Sequence, residues 1–337
     1  LITRKKVLDN IAWYADPHAR EKGEPGIQHS FMKSLATALH YVRNDLDPAW
    51  LMGSSAFAFR TYANEILCPS AMSVFDFSAI LPEAIEQSGH RAVYVYRYWN
   101  DEANEEARRK ESQAAIVAGI DRGAPAVVWD VFDAEWGLIV GYDLDEKRYQ
   151  TLTHRGDKFV LPFDRLGRNG IDILSVSIPG PPNERIRNEI ILNSLKAAAV
   201  HADQGEWTDR PHYQNGLAAY DLWSSCYEKA ALIVDAGGVH NIKQDFWDHA
   251  AYYANHHYSA RCYARDYLKM IAAGDKSLEK AASCYEMAAT LLRPVWHDTV
   301  INLNLDADAV RSSAQKMKEA KVAEEKGVMH IKAFLQR

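Results

Sequence analysis

His29 and Ser30 stand side by side where the chain turns into a helix. Pro25 and Gly26 break the chain just before them. From Ser30 onward apolar residues recur at Phe31, Leu35, Ala38, Leu39 and Val42, in threes and fours. That spacing builds one apolar stripe and predicts a buried helix. The first N–H groups of a helix have no intrahelical partner and carry partial positive charge, so an anion or a developing oxyanion is favoured there. Ser30 could serve as a nucleophile at such a point, with His29 as its base. Neighbouring helical residues point about 100° apart, however, so adjacency alone does not bring His29 within reach of Ser30. The competing reading, a serine capping its own helix, is the stronger of the two.

Further along are four more groups with chemistry in them. Asp130 and Glu135 flank a strand boundary, where two carboxylates close together can push one pKa upward. Their alternative is a loop ion pair with Arg60 or Arg97. Cys68 lies in a Cys-Pro-Ser turn, unlike Cys226, Cys262 and Cys284, which fall in helical sequence. A turn thiol becomes reactive if a cation or helix start lowers its pKa, and is otherwise an inert half-buried group. Ser54 and Ser55 form a Gly-Ser-Ser turn without the Gly-x-Ser-x-Gly pattern of a hydrolase elbow. Between Trp247 and Tyr258 the chain is rich in imidazole and aromatic rings, with His249, Tyr253 and His256 or His257 on one helical face. The H-E-x-x-H pattern is absent, and no C-x-x-C pair occurs, so an aromatic seam that lines a pocket between two domains is favoured over a metal site.

The elements that must position these groups fall into two parts. Residues 2–14 read as a short strand or helix. After the central helix, Asp47-Pro48 opens a short helix that leads to the Gly53-Ser54-Ser55 turn. Arg60 ends a buried run and needs a carboxylate or carbonyl partner. Residues 82–87 form a helix, 91–99 a strand rich in β-branched and aromatic residues, and 101–122 a long helix ended by Gly123. Strands follow at 126–132, 135–143, 148–153, 158–162 and 173–178, and the short loops between them favour antiparallel pairing. Pro179-Gly-Pro-Pro182 then reads as a domain boundary. Beyond it, 183–201, 215–236, 243–273, 277–292 and 307–336 are helical by period, with no strand signal. The fold class is therefore α+β over residues 1–180, followed by an all-α helical domain over 181–337.

Bulk properties exclude several functions. The chain of 337 residues is 47% hydrophobic and 25% charged, and 39 basic against 45 acidic residues give a net charge of −6. No global basic field recruits nucleic acid or anionic lipid. No apolar run approaches the roughly 20 residues that span a bilayer. The first residues lack the apolar core of a secretory signal, and the chain begins without Met, which leaves room for a processed segment. Four unpatterned cysteines suit a reduced, cytoplasmic compartment.

Three segments together resemble a known family: Ser30-Phe-Met-Lys-Ser-Leu-Ala-Thr-Ala-Leu-His-Tyr-Val42; Met52-Gly-Ser-Ser-Ala-Phe-Ala-Phe-Arg60 with Cys68-Pro-Ser70; and Gly137-Leu-Ile-Val-Gly-Tyr-Asp143. The chain over about residues 25–178 resembles papain-like cysteine peptidases, the peptidase C39-like group among them. Within that group it is most similar to proteins carrying the butirosin-biosynthesis BtrH N-terminal domain. The resemblance implies a papain-like unit whose central helix packs on an antiparallel sheet, a helical second half, and a bacterial cytoplasmic protein of specialised metabolism. It also implies an acyltransferase that moves an acyl group from a carrier-protein thioester to an amine.

The working groups of that family are exchanged here. Ser30 stands where the family has its nucleophilic Cys, and Glu135, followed by Trp136, stands where it has its catalytic His. Thr151, Leu152 and Thr153 occupy the region of the third residue, and Gln28 lies only two places before Ser30 although the family's oxyanion-hole Gln lies several residues ahead. A carboxylate of ordinary pKa near 4.3 is a poor base for a serine hydroxyl, so ordinary cysteine-peptidase chemistry is not expected.

The expected site therefore has Ser30, His29, Glu135 and Cys68 as catalytic candidates. Gln28, Arg60, Asp130, Trp136, Tyr253 and His257 are the candidates for binding substrate. The expected substrate is a small molecule or a carrier-bound acyl group. No cofactor, metal, nucleic acid or membrane is expected, and homodimerisation is left open. The alternative function is a non-catalytic small-molecule-binding protein on a degenerate cysteine-peptidase scaffold.

Overall fold

In the computed structural model, residues 4–43, 45–206, 212–303 and 305–337 are described. Along these the elements run β1 (Lys5–Val7), α1 (Pro17–Glu21), α2 (Ser30–Arg43), α3 (Pro48–Ser54), β2 (Tyr62–Asn64), α4 (Phe77–Gln87), β3 (His90–Arg97), α5 (Glu105–Asp121), β4 (Ala126–Trp129), β5 (Trp136–Asp143), β6 (Arg148–Leu152), β7 (Lys158–Pro162) and β8 (Leu174–Pro182). They continue as α6 (Arg187–Gln204), β9 (Tyr213–Asn215), α7 (Ala218–Gly237), α8 (Gln244–Ala272), α9 (Lys276–Trp296) and α10 (Ala307–Leu335). The protein is thus mixed α+β, with an antiparallel sheet and a helical C-terminal region. Among the described residues no helix is long and apolar enough to cross a membrane.

Where the sequence reading places one cut at 180/181, chain contacts divide the molecule into two discontinuous units. The first comprises Leu1–Asp16, His29–Leu51 and Phe77–Arg185; the second comprises Pro17–Gln28, Met52–Asp76 and Ile186–Arg337.

The first unit is built on a seven-stranded sheet in the order β3-β8-β4-β5-β6-β7, with β1 beside β5. Every pairing is antiparallel, as short connections favour. β5 is the hub. β4 pairs with Trp136–Ile139, and β1 takes the remainder of the same side at Gly141–Asp143. Strand alternation puts Ile139 on one face, where Ile116 and Ile120 of α5 share a buried apolar cluster with Val128, Tyr149, Leu161, Val176 and Ile178. Trp136 and Leu138 point to the other face, where Ser34 of α2 and Phe77 of α4 meet Trp136.

Three sequence expectations need correction. Pro179–Pro182 does not end the sheet but continues β8, in register with His90 and Ala92 of β3. β4 reaches β8 only at Val176 and Ser177, so the proline-rich end has a neighbour on one side alone, which is where sheets tolerate proline. The second half is not free of strands, because β9 pairs antiparallel with β2. Gly53 and Ser54 are not a turn but the last residues of α3; a Cβ on Gly53 would lie 1.9 Å from the Tyr267 ring, so glycine is required by close packing.

The second unit holds α6–α10 together with α1, the β2/β9 pair and the chain from β2 to Asp76. Its most buried charge is the Arg261 guanidinium of α8, which meets Glu324 of α10 at 2.7 Å, with 0% and 2% side-chain exposure. Tyr220 of α7 donates to the same carboxylate at 2.8 Å. Burying two charges is costly, and each is tolerable only because the other is present. Glu324→Ala leaves the guanidinium unpaired and is expected to lower stability by about 3–5 kcal/mol. Arg261→Met with Glu324→Leu removes the unpaired charge but also takes the donor from the Arg60 carbonyl, so the double variant should recover only part of that loss in urea unfolding.

Candidate functional site

The first turn of α2 lies against the start of β5. Ser30 Oγ donates to Glu135 Oε2 at 2.5 Å, and the Trp136 backbone N–H donates to the same Oγ at 3.4 Å. One turn on, Ser34 Oγ donates to the Trp136 carbonyl at 3.1 Å. Trp136 is fully buried, with ring centroids of Trp129, Phe77, Phe31 and His29 at 4.4, 4.8, 5.7 and 5.7 Å. The apolar stripe of α2 thus seats an indole whose chain neighbour is the Glu135 carboxylate. Ser30 is buried and Glu135 half-exposed. A carboxylate at the N-terminal end of α2 also meets the favourable end of the helix dipole.

His29 bonds forward along its own helix. Its Nδ1 accepts the Phe31 backbone N–H at 3.2 Å, which makes it a helix-start acceptor.

Asp130 is held by backbone, not by Arg97 or Arg60. It adopts a left-handed conformation (φ 57°), its N–H donates to the Glu135 carbonyl at 2.9 Å, and its Oδ2 accepts from the N–H groups of Gly170 and Ile171 at 2.6 and 2.8 Å. Oδ1 is buried without a hydrogen-bond partner, and burial raises the carboxyl pKa against those donors. Aspartate is among the few non-glycine residues that enter this backbone region readily. Arg97 donates instead to the carbonyls of Tyr98 and Gly167.

A pair that sequence reasoning missed joins this loop to the one between β6 and β7. His154 Nδ1 and Asp133 Oδ1 are 3.2 Å apart, and the Glu135 N–H donates to the Asp133 carbonyl at 2.7 Å. The signal is one residue away, since His154 directly follows the Thr151–Thr153 region where the resemblance puts a third group.

The remaining candidates belong to the second unit. Gln28 Nε2 donates to the Gly26 carbonyl at 3.0 Å. Arg60 grips Glu206 with two nitrogens, Nε at 2.6 and Nη2 at 2.8 Å, and donates to the Ser55 carbonyl at 2.8 Å. Despite burial, Arg60 and His201 hold the Glu206 carboxyl far below its ordinary pKa. Tyr253 Oη accepts from Asn64 N–H at 3.0 Å and donates to the Cys68 carbonyl at 3.1 Å. His257 Nε2 lies 2.9 Å from the Tyr62 carbonyl. Arg60, Tyr253 and His257 therefore spend these bonds on the chain itself. Cys68 is half-buried, with Ser70 Oγ donating to its sulfur at 3.0 Å.

No protein-family model matches the chain, and no curated protein matches it.

Burial and the nearby Arg261 charge lower the His257 pKa to about 3. The unfolded chain takes up this proton near pH 6.5, whereas the folded chain does not until about pH 3. Stability therefore falls with falling pH across that window, by roughly 1.4 kcal/mol per pH unit from this group. His257→Gln, which keeps a donor for the Tyr62 carbonyl, should flatten the dependence measured by urea unfolding between pH 6.5 and 4.5.

Burial also ranks the thiols. Cys226 and Cys262 are 3% and 2% exposed, whereas Cys68 and Cys284 are half-buried; burial raises the thiol pKa at Cys226, Cys262 and Cys284. Iodoacetamide on the native protein should modify Cys68 and Cys284 and spare Cys226 and Cys262, as read by peptide mass spectrometry.

Proposed function

We propose that the chain is an acyl-transfer enzyme handling thioester or amide substrates, related to BtrH-like proteins and built on a papain-like unit whose working groups have been exchanged. The observation that supports this reading is the Ser30–Glu135 hydrogen bond at the meeting point of helix start and strand start. Those two positions are the ones at which the resemblance puts nucleophile and base.

The exchanged groups suit direct transfer better than a covalent serine intermediate. A carboxylate is too weak a base to ionise a serine hydroxyl. It is well suited to an amine acceptor, whose nitrogen becomes strongly acidic once it has attacked a carbonyl. In this reading the amine nitrogen bonds to the thioester carbonyl carbon, Glu135 takes the proton that nitrogen sheds, and the carbon–sulfur bond breaks. The departing thiolate then takes up the proton. Ser30 orients the Glu135 carboxylate and acts as a positioning residue.

The test is thiol release from acyl N-acetylcysteamine thioesters in the presence of a panel of primary amines. Glu135→Gln should lower kcat/KM about 100-fold or more, the usual scale of general-base catalysis, with an unchanged thermal midpoint. No thiol release across the panel, or full activity in Glu135→Gln, would overturn the proposal; an acyl adduct on Ser30 would overturn the assignment of direct transfer.

The second reading, a binding protein without turnover, has its own observation. Ser30 is only 6% exposed and Trp136 is completely buried beside it. Saturable amine binding that Glu135→Gln abolishes, with no thiol release, would favour that reading.

A further inference from the structure

The dipeptide Asn169-Gly170 lies in the loop between β7 and β8. The peptide bond that joins the two residues is gripped at both ends. Its N–H, on Gly170, donates to the Asp130 carboxylate at 2.6 Å, and its carbonyl, on Asn169, accepts from Arg165 Nη2 at 2.7 Å. The Asn169 side-chain amide donates to the Asp130 carbonyl at 3.3 Å. Gly170 keeps this approach open, since a Cβ there would lie 3.3 Å from Asp130 Oδ2. The two charged groups pull the same way. The carboxylate draws the N–H proton, and the guanidinium stabilises the negative charge that the carbonyl oxygen gains as the proton leaves. Burial makes the Asp130 carboxylate more basic than a solvated one. Ring closure from the Gly170 nitrogen to the Asn169 side-chain carbonyl carbon gives a five-membered ring.

We propose that Asn169 modifies itself through a succinimide. The Gly170 nitrogen bonds to the Asn169 side-chain carbonyl carbon, and its proton passes to Asp130 as that bond forms. The carbon–nitrogen bond of the side-chain amide then breaks, and the departing nitrogen takes the proton from Asp130 and leaves as ammonia. Water opens the ring at either carbonyl, which yields aspartate or isoaspartate. Proton transfer in step with bond formation requires no free amide anion, and a single event over days asks less of a carboxylate than ionising a serine at every turnover. The product sets a second carboxylate beside Asp130. Isoaspartate also lengthens the main chain by one methylene next to the Gly170 and Ile171 N–H groups that hold Asp130. The proposal is independent of the Ser30–Glu135 chemistry.

The chain supplies its own comparison in Asn215-Gly216. There the glycine N–H is shared by the Thr61 carbonyl at 3.0 Å and His201 Nε2 at 3.2 Å, and among the described residues no carboxylate accepts from it. The test is incubation of the intact chain at neutral pH, with aspartate and isoaspartate at both positions read by peptide mass spectrometry. In the folded chain Asn169 should convert about tenfold faster than Asn215, and about tenfold faster than Asn169 in the urea-unfolded chain, where the two dipeptides should react alike. Asp130→Asn, which suits the left-handed backbone, should slow Asn169 about 100-fold, the lower end of general-base catalysis. Arg165→Gln, which keeps a donor but removes the charge, should slow it about threefold to tenfold. Conversion of Asn169 no faster in the folded chain than in urea, or indifferent to an Asp130→Asn variant that keeps the native thermal midpoint, would overturn the assignment. Should Asp130→Asn fail to fold, the urea comparison and Arg165→Gln decide.

Discussion

The first unit depends on one buried side chain, the Trp136 indole. Its backbone is bound on both sides by the same helix, its N–H to Ser30 and its carbonyl to Ser34. Its ring fills the space among Trp129, Phe77, Phe31 and His29. A helix start and a strand start are thereby locked in register. Burying an aromatic side chain of this size contributes on the order of 2–3 kcal/mol, enough to hold a carboxylate on the adjoining residue in place. The position of Glu135 follows from that packing and from the Asp130 and Asp133 backbone bonds around it.

The second unit solves a different problem. β2 is three residues long and, among the described residues, pairs only with β9. A two-stranded pair is marginal alone. Here side chains from the surrounding helices finish its backbone bonding. Thr61 N–H donates to His201 Nε2, Arg261 donates to the carbonyl of Arg60, His257 meets the carbonyl of Tyr62 and Tyr253 accepts from Asn64. The deeply buried cations and imidazoles of this unit read most simply as the fasteners of a segment too short to hold itself.

Much of the architecture was legible because it rests on local periodicity. The threes and fours of residues 31–42 give α2, and the alanine-rich stretches of the second half give α6–α10 within a few residues. The antiparallel sheet follows from short connections. What escaped depends on tertiary context. Prolines 179–182 look like a break, and become a strand end only because β3 lies on one side and β4 stops short. β9 is three residues of unremarkable sequence, recognisable only when β2 is beside it. At the site, the helix start at Ser30 and the strand start at Trp136 were legible as local signals, and their nearness is a tertiary fact. The role of Asp130 could not be read locally, since it lies in a left-handed turn and in two backbone donors some 40 residues further on. Nor could the backbone contacts of His257 and Tyr253, because composition cannot distinguish an imidazole facing a ligand from one facing a carbonyl.

β7 is the outermost strand on its side of the sheet, so one row of its backbone groups finds no sheet partner. It is five residues long, opens with a lysine and closes with a proline. A short, charged, proline-ended border is a poor template for another molecule's strand. The exposed rings and branched side chains there, Phe159 and Val160, can consequently face water in concentrated solution without seeding the stacking of sheet upon sheet that ends in fibrils.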